Sequence, residues 1–118
     1  MPTSNPSPPS LSWDTFMQVD MRVGTVLSAD EFPEARNPAY KLVIDFGPLG
    51  TRKTSAQITT HYQAQSLVGK QVIAVVNFPP KQIATFMSEC LVLGAVEDQL
   101  GVTLLQPDRE VANGTRIG

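Results

Sequence analysis

Hydrophobic and polar positions alternate with a period of two over most of this chain. From Asp20 onward, Met21, Val23, Thr25 and Leu27 alternate with Arg22, Gly24, Val26 and Ser28. In a second segment Tyr40, Leu42, Ile44 and Phe46 share one face, and Lys41 and Asp45 the other. Such alternation predicts half-buried strands. A third strand, roughly residues 51 to 59, is mostly polar. A fourth, residues 71 to 78, is apolar on both faces. A fifth is expected from residue 89 to 96, and residues 102 to 105 form a further apolar stretch after an Asp98–Gly101 turn.

The helical period appears in two short places. Trp13, Phe16 and Met17 are spaced i, i+3, i+4, with Ser12 as N-cap and Asp14 favourable in the first turn. One turn of helix is not stable alone, so its stripe is expected to dock on something. The second place is residues 61 to 68, with Thr60 before it and Gly69 after its C-terminal end. Gly24 in mid-strand predicts the bend that a small closed barrel needs.

The order of strands and helices predicts an all-β chain. It is a five-stranded OB-fold barrel with a short N-terminal helix and a short helix between strands three and four. That fold binds ligands on one sheet face, framed here by the loops at residues 29 to 39 and 78 to 88. The second of these is unusual. In VVNFPPKQIATFMSE, residues 75 to 89, two prolines stiffen the chain, Lys81 is the one cation, and Ile83, Phe86 and Met87 are bulky and apolar.

A length of 118 residues fits one domain. Residues 1–11, rich in Pro and Ser, read as a disordered or extended tail, and 12–118 as the domain. A hydrophobic content of 42% with 17% charged residues is that of a globular chain. A net charge of -2 excludes broad non-specific coating of nucleic acid, though not a local basic patch. The single cysteine, Cys90, cannot pair within the chain; it implies a reducing compartment and reads as a small buried hydrophobe. There is no secretory signal and no apolar run near the roughly 20 residues that span a bilayer. A cytoplasmic protein with no membrane insertion is expected.

No phosphate-binding glycine loop, metal-ligand spacing or nucleophilic triad is present. His61 stands alone, and nothing marks Glu34 and Glu89 as an acid–base pair. The expectation is no enzyme, no metal and no cofactor. What remains is a binding surface. For RNA, Arg36, Arg52, Lys53 and Lys81 can meet phosphates, while Ser55, Gln57, Asn77, Gln82 and Ser88 offer hydrogen bonds. Aromatic rings on such a face stack bases at roughly 1–3 kcal/mol each. For a polypeptide, the apolar residues Phe32, Tyr40, Phe78, Ile83, Phe86 and Met87 would form the pockets, on a loop stiffened by Pro79-Pro80. Tyr40 and Phe46 equally fit the barrel core, because they share a face with Leu42 and Ile44.

Five stretches carry a resemblance. FMQVDMRVGTV (16 to 26), FPEARNPAYKLVIDFG (32 to 47), KTSAQIT (53 to 59), VVNFPPKQI (75 to 83) and SECLVLGA (88 to 95) resemble the CsaA chaperone family, within the wider group of tRNA-binding domains. The resemblance covers roughly residues 13 to 118. It implies a non-catalytic OB-fold homodimer that binds tRNA, unfolded or precursor polypeptide, or both, with a role in protein export. An accessory role beside a tRNA synthetase, or docking on the export machinery, are alternatives. Asn77, Pro80, Lys81 and Ser88 match the group's pattern after strand four. Phe78-Pro79, Ala84, Cys90 and Leu91 depart from it and thin its positive charge. A homodimer would give work to apolar residues that the barrel leaves over: Trp13, Phe16, Met17, Val102 and Leu104, placed in an isologous interface.

Overall fold

A computed structural model describes residues 9–118. The part of the expected tail at residues 1–8 lies outside the described residues. Helix α1 (Trp13–Met17) starts where expected: the Thr15 N–H donates to Ser12 Oγ at 3.1 Å. Four strands follow where expected: β1 (Met21–Glu31), β2 (Tyr40–Asp45), β3 (Thr51–Ala56) and β4 (Gln71–Val75). Helix α2 (Ala64–Leu67) separates β3 from β4 and is shorter than the predicted 61 to 68. Gln63 rather than Thr60 precedes it, and Gly69 follows in the left-handed region at φ 90°, donating its N–H to Val26 O.

Two predicted segments are divided. The expected loop at 78 to 88 contains a hairpin, β5 (Lys81–Ile83) with β6 (Phe86–Ser88). The expected fifth strand is split into β7 (Leu91–Val92), which pairs with β4, and β8 (Gly94–Glu97), which pairs with β9 (Gly101–Leu104). β1 also runs on to Glu31, so the first rim loop is residues 32 to 39. The main sheet is antiparallel in the order β3-β2-β1-β4-β7.

This sheet curls until its edges meet. The Glu89 N–H donates to Lys53 O at 2.8 Å, and the Lys53 N–H to the Glu89 carboxylate at 2.9 Å. Just inside, Thr54 Oγ1 donates to Cys90 O at 2.6 Å, Ser88 Oγ lies 2.9 Å away, and the Ser55 N–H donates to that oxygen. The result is a nearly closed five-stranded barrel with short helices, an OB-fold. Curvature comes from β1, whose pairing with β2 shifts register between Val26 and Ser28. Gly24 allows the close approach: a Cβ there would meet Ile44 Cγ2 at 2.5 Å and the Phe46 ring at 2.7 Å.

Leu42, Ile44, Phe46, Leu67, Val72 and Ala74 fill the interior with no exposed surface. β2 pairs with β1 only from Thr25 onward, which leaves that edge of β1 unpaired at Met21–Gly24, and residues 114 to 117 fill it. Gly114 N–H donates to Val23 O, Val23 N–H to Thr115 O, and Ile117 N–H to Met21 O. Gln71 fixes this segment by bonding both Val111 N–H and Val111 O. No helix among the described residues is long and apolar enough to cross a membrane.

Candidate ligand-binding surface

The β5–β6 hairpin stands over the seam between β3 and β7. Its turn is tight: Ile83 pairs with Phe86, and Ala84 takes φ 54°, a conformation usually left to Gly or Asn. Gln82 Nε2 braces the turn by donating to Ala84 O. The hairpin thereby offers two differently built faces.

One face is cationic and aromatic. Phe86, half-buried, meets Phe32 edge-on with ring centroids 5.5 Å apart. Lys53 Nζ lies 5.2 Å from the Phe86 centroid, and Lys41 Nζ lies 5.2 Å from Phe32 and 6.0 Å from Phe86. Neither lysine is in an ion pair, since Arg22–Asp20 is the one ion pair among the described residues. Strand register explains the convergence. Lys53 pairs with Val43, two residues from Lys41 on the same outward face, so both chains lean over the same rings. Lys41 was not among the sequence-predicted site residues. Its outward position beside Lys53 is the signal that identifies it.

The other face is an apolar groove of about 510 Å³. Phe78, Pro79 and Ile83 from the hairpin side line it together with Leu91, Val92, Val96 and Val102 and with Ser55, Ala56, Gln57 and Ile58 from the end of β3 onward. Lys81 is the only charged residue on its lining. Phe78 is 54% exposed, a large apolar area left in water. Cys90 also lines it, itself 6% exposed. Burial pushes its thiol up to about 11, the Thr54 hydrogen bond and Arg52 opposing this and Glu89 adding to it. It is not a nucleophile at neutral pH.

The predicted residues divide between these places. Lys53 and Phe86 meet on the cationic face, against Phe32, which is 5% exposed and therefore buried support and not open rim; Ser55, Phe78, Lys81 and Ile83 line the groove. Met87 and Arg36 are exposed, in neither set of contacts. Five others have further or different contacts. Tyr40 is buried and donates its hydroxyl to Tyr62 O, so it is core and not rim. Ser88 touches the groove, but its oxygen is spent on Thr54 and Ser55 in the seam. Asn77 ties down the chain after α1, accepting from Asp20 N–H and donating to Gln18 O. Leu104 is buried in its own core and so is not free for an interface, while Val102 is partly buried, packing against that core and lining the groove. Trp13 at 83% and Met17 at 49% are exposed on α1, with Phe16 half-buried between them.

The profile of a family described as "Putative tRNA binding domain" matches residues 21–116. Among solved structures, the chaperone CsaA from Bacillus anthracis str. Ames is similar, with 52% identity and a TM-score of 0.88 over 92% of this chain and 99% of that one. The CsaA chaperone protein from Picrophilus torridus has 47% identity and a TM-score of 0.85, over 92% and 100%. A methionine–tRNA ligase of Bacteroides fragilis is 35% identical over 92% of this chain. The chain spans only 16% of that ligase's length, so this likeness extends to a binding domain and not to the ligase reaction.

Proposed function

For a chain that belongs to the tRNA-binding domain family, we propose the role of a non-catalytic, cytoplasmic chaperone, a homodimer that holds unfolded or export-precursor polypeptides in the groove beside the β5–β6 hairpin. The observation that carries this reading is the groove itself. Its volume is that of a typical ligand site, its walls are apolar, and Lys81 alone is charged. Each large apolar side chain it buries contributes about 1.5–3 kcal/mol. Pro79 and Pro80 stiffen one wall and cut the cost of ordering it. Ser55 and Gln57 on its lining offer hydrogen bonds to a peptide backbone. The uncovered Trp13 and Met17 support a two-fold interface built on α1. The likeness to CsaA chaperones supports the same role.

The test is titration with a permanently unfolded client at low and high salt. Binding is expected to resist salt and to fall at least about tenfold for Ile83→Asp, which puts a charge into an apolar wall. Client binding that vanishes with salt and ignores Ile83→Asp would falsify the groove reading. A monomeric mass at micromolar concentration would refute the homodimer.

A second reading has its own observation. Lys41 and Lys53 converge on the Phe86 ring, and neither is held in an ion pair. A cation beside a ring suits a phosphate beside a stacked base, as in tRNA. This reading requires saturable tRNA binding that weakens with salt and with Lys53→Ala. Binding indifferent to both overturns it.

A further inference from the structure

Three of the chain's arginines meet where its two termini cross the end of the barrel. Arg22 and Arg116 are direct partners in an antiparallel bridge. Like charges held directly opposite each other destabilise a sheet. Arg52 joins them: register pairs it with the inward-facing Ile44, and Arg22 with the inward-facing Ala74. Arginine thus stands at inward positions that would otherwise be apolar.

Each guanidinium is aimed by one backbone carbonyl. Arg22 Nη1 donates to Gly114 O at 3.0 Å, Arg52 Nη1 to Val76 O at 3.1 Å, and Arg116 Nη2 to Met17 O at 2.7 Å. A guanidinium has five donors: Arg22 spends three, on Gly114 O and on both oxygens of Asp20, whereas Arg52 and Arg116 spend one each and keep most of theirs. One carboxylate, Asp20, answers all three, in contact with Arg22 Nε at 2.6 Å. The hydrogen bond from Arg22 holds the Asp20 carboxyl below its ordinary range against a burial penalty, and the charges of Arg22, Arg116 and Arg52 add to that. Three positive charges less one negative leave two in surplus, in a chain whose net charge is -2. Pinning three carbonyls needs no such surplus.

We infer that Arg22, Arg52 and Arg116 form a second anion site, and that it grips the phosphodiester backbone of an RNA. The inference rests on the tRNA reading above. Planar guanidinium forks match phosphate oxygens two at a time. A surplus of two charges suits successive phosphates better than a single polypeptide carboxylate. The site is continuous in sequence with the groove, because Val76 leads through Asn77 into Phe78 and Pro79. β3 links it to the first site, presenting Arg52 and Lys53 on its two faces.

The decisive variant adds charge instead of removing it. The bonds that Asp20 makes to Asn77 and Val76 use its backbone, so Asp20→Asn keeps them and only frees Arg22. With bulk tRNA as the probe and the full chain, Asp20→Asn is expected to tighten binding about 3–10-fold at low salt and steepen the salt slope by about one. Arg116→Gln is expected to flatten that slope by about one. A role confined to pinning carbonyls predicts no tightening in Asp20→Asn. If Lys53→Ala weakens tRNA binding while Asp20→Asn and Arg116→Gln leave affinity and slope unchanged, the tRNA reading stands and this site falls. Wild-type protein that does not bind tRNA even at about 50 mM salt removes both.

Discussion

Phe46 has no exposed surface and abuts Gly24 from the inside of the barrel, whereas Phe86 stands half-exposed in the hairpin with the ammonium of Lys53 5.2 Å from its ring. The first ring is surrounded by Leu42, Ile44 and Val72, each fully buried, in a cluster with no charge. The second touches one aromatic edge and two lysines. The interior gains from excluding water, and every position there is limited by volume. The rim keeps apolar surface in water and ringed by cations, which adds little to folding but leaves binding area in place. Substitutions in the two regions should therefore separate stability from affinity.

The largest effect is expected inside. Gly24→Ala would drive a methyl into Ile44 Cγ2 at 2.5 Å and the Phe46 ring at 2.7 Å. It should lower stability by about 2–3 kcal/mol in urea unfolding while the folded fraction binds as before. Equal stability would mean the barrel tolerates expansion at its bend. Thr54→Val should follow, costing about 1–3 kcal/mol. Thr54 has one proton, given to Cys90 O, and receives one from Ser88, which in turn accepts from Ser55 N–H. Valine keeps the shape but strands Ser88 and Cys90 O at the seam. Phe86→Ala should cost only about 1 kcal/mol, because the ring is half in water already. It should nonetheless weaken tRNA binding several-fold, as loss of one stacking ring does. A large stability loss with unchanged binding would place Phe86 with the interior.

The same division governs what the sequence made legible. β1 and β2 follow from apolar alternation and β4 from an unbroken apolar run, and the Ser12 cap and the turn glycine Gly69 follow from local chemistry. The β5–β6 hairpin does not, because its turn is built on Ala84 in a conformation that ordinarily advertises itself with Gly or Asn. Tyr40 has the same pattern whether core or rim; its partner, Tyr62 O, is set by the fold and not by spacing. Ser88 looks like a surface hydroxyl until Thr54 is brought to it across the seam. Lys41 looks like the solvated half of an alternating strand until register sets it beside Lys53. Arg22, Arg52 and Arg116 are far apart in the chain, so only barrel closure and the C-terminal bridge collect them.

Cys90 lies on the boundary between the two regions, and the smallest effect is expected there. Its thiol lines the groove yet is 6% exposed. Burial raises it to about 11, so the neutral form is stable and the thiolate scarce. At pH 8 about one molecule in a thousand carries the reactive thiolate, against roughly a quarter for an ordinary thiol. Alkylation of the folded protein by iodoacetamide should be slower than that of the urea-unfolded chain by about two orders of magnitude, and should rise as pH approaches 11. The sign follows from the charge that burial disfavours: a raised thiol value protects the folded state at neutral pH and loses that protection in base. If the folded protein reacts as fast as the unfolded chain at pH 8, the groove around Cys90 is open to water, and the seam at Thr54 and Ser88 belongs to the rim instead of the interior.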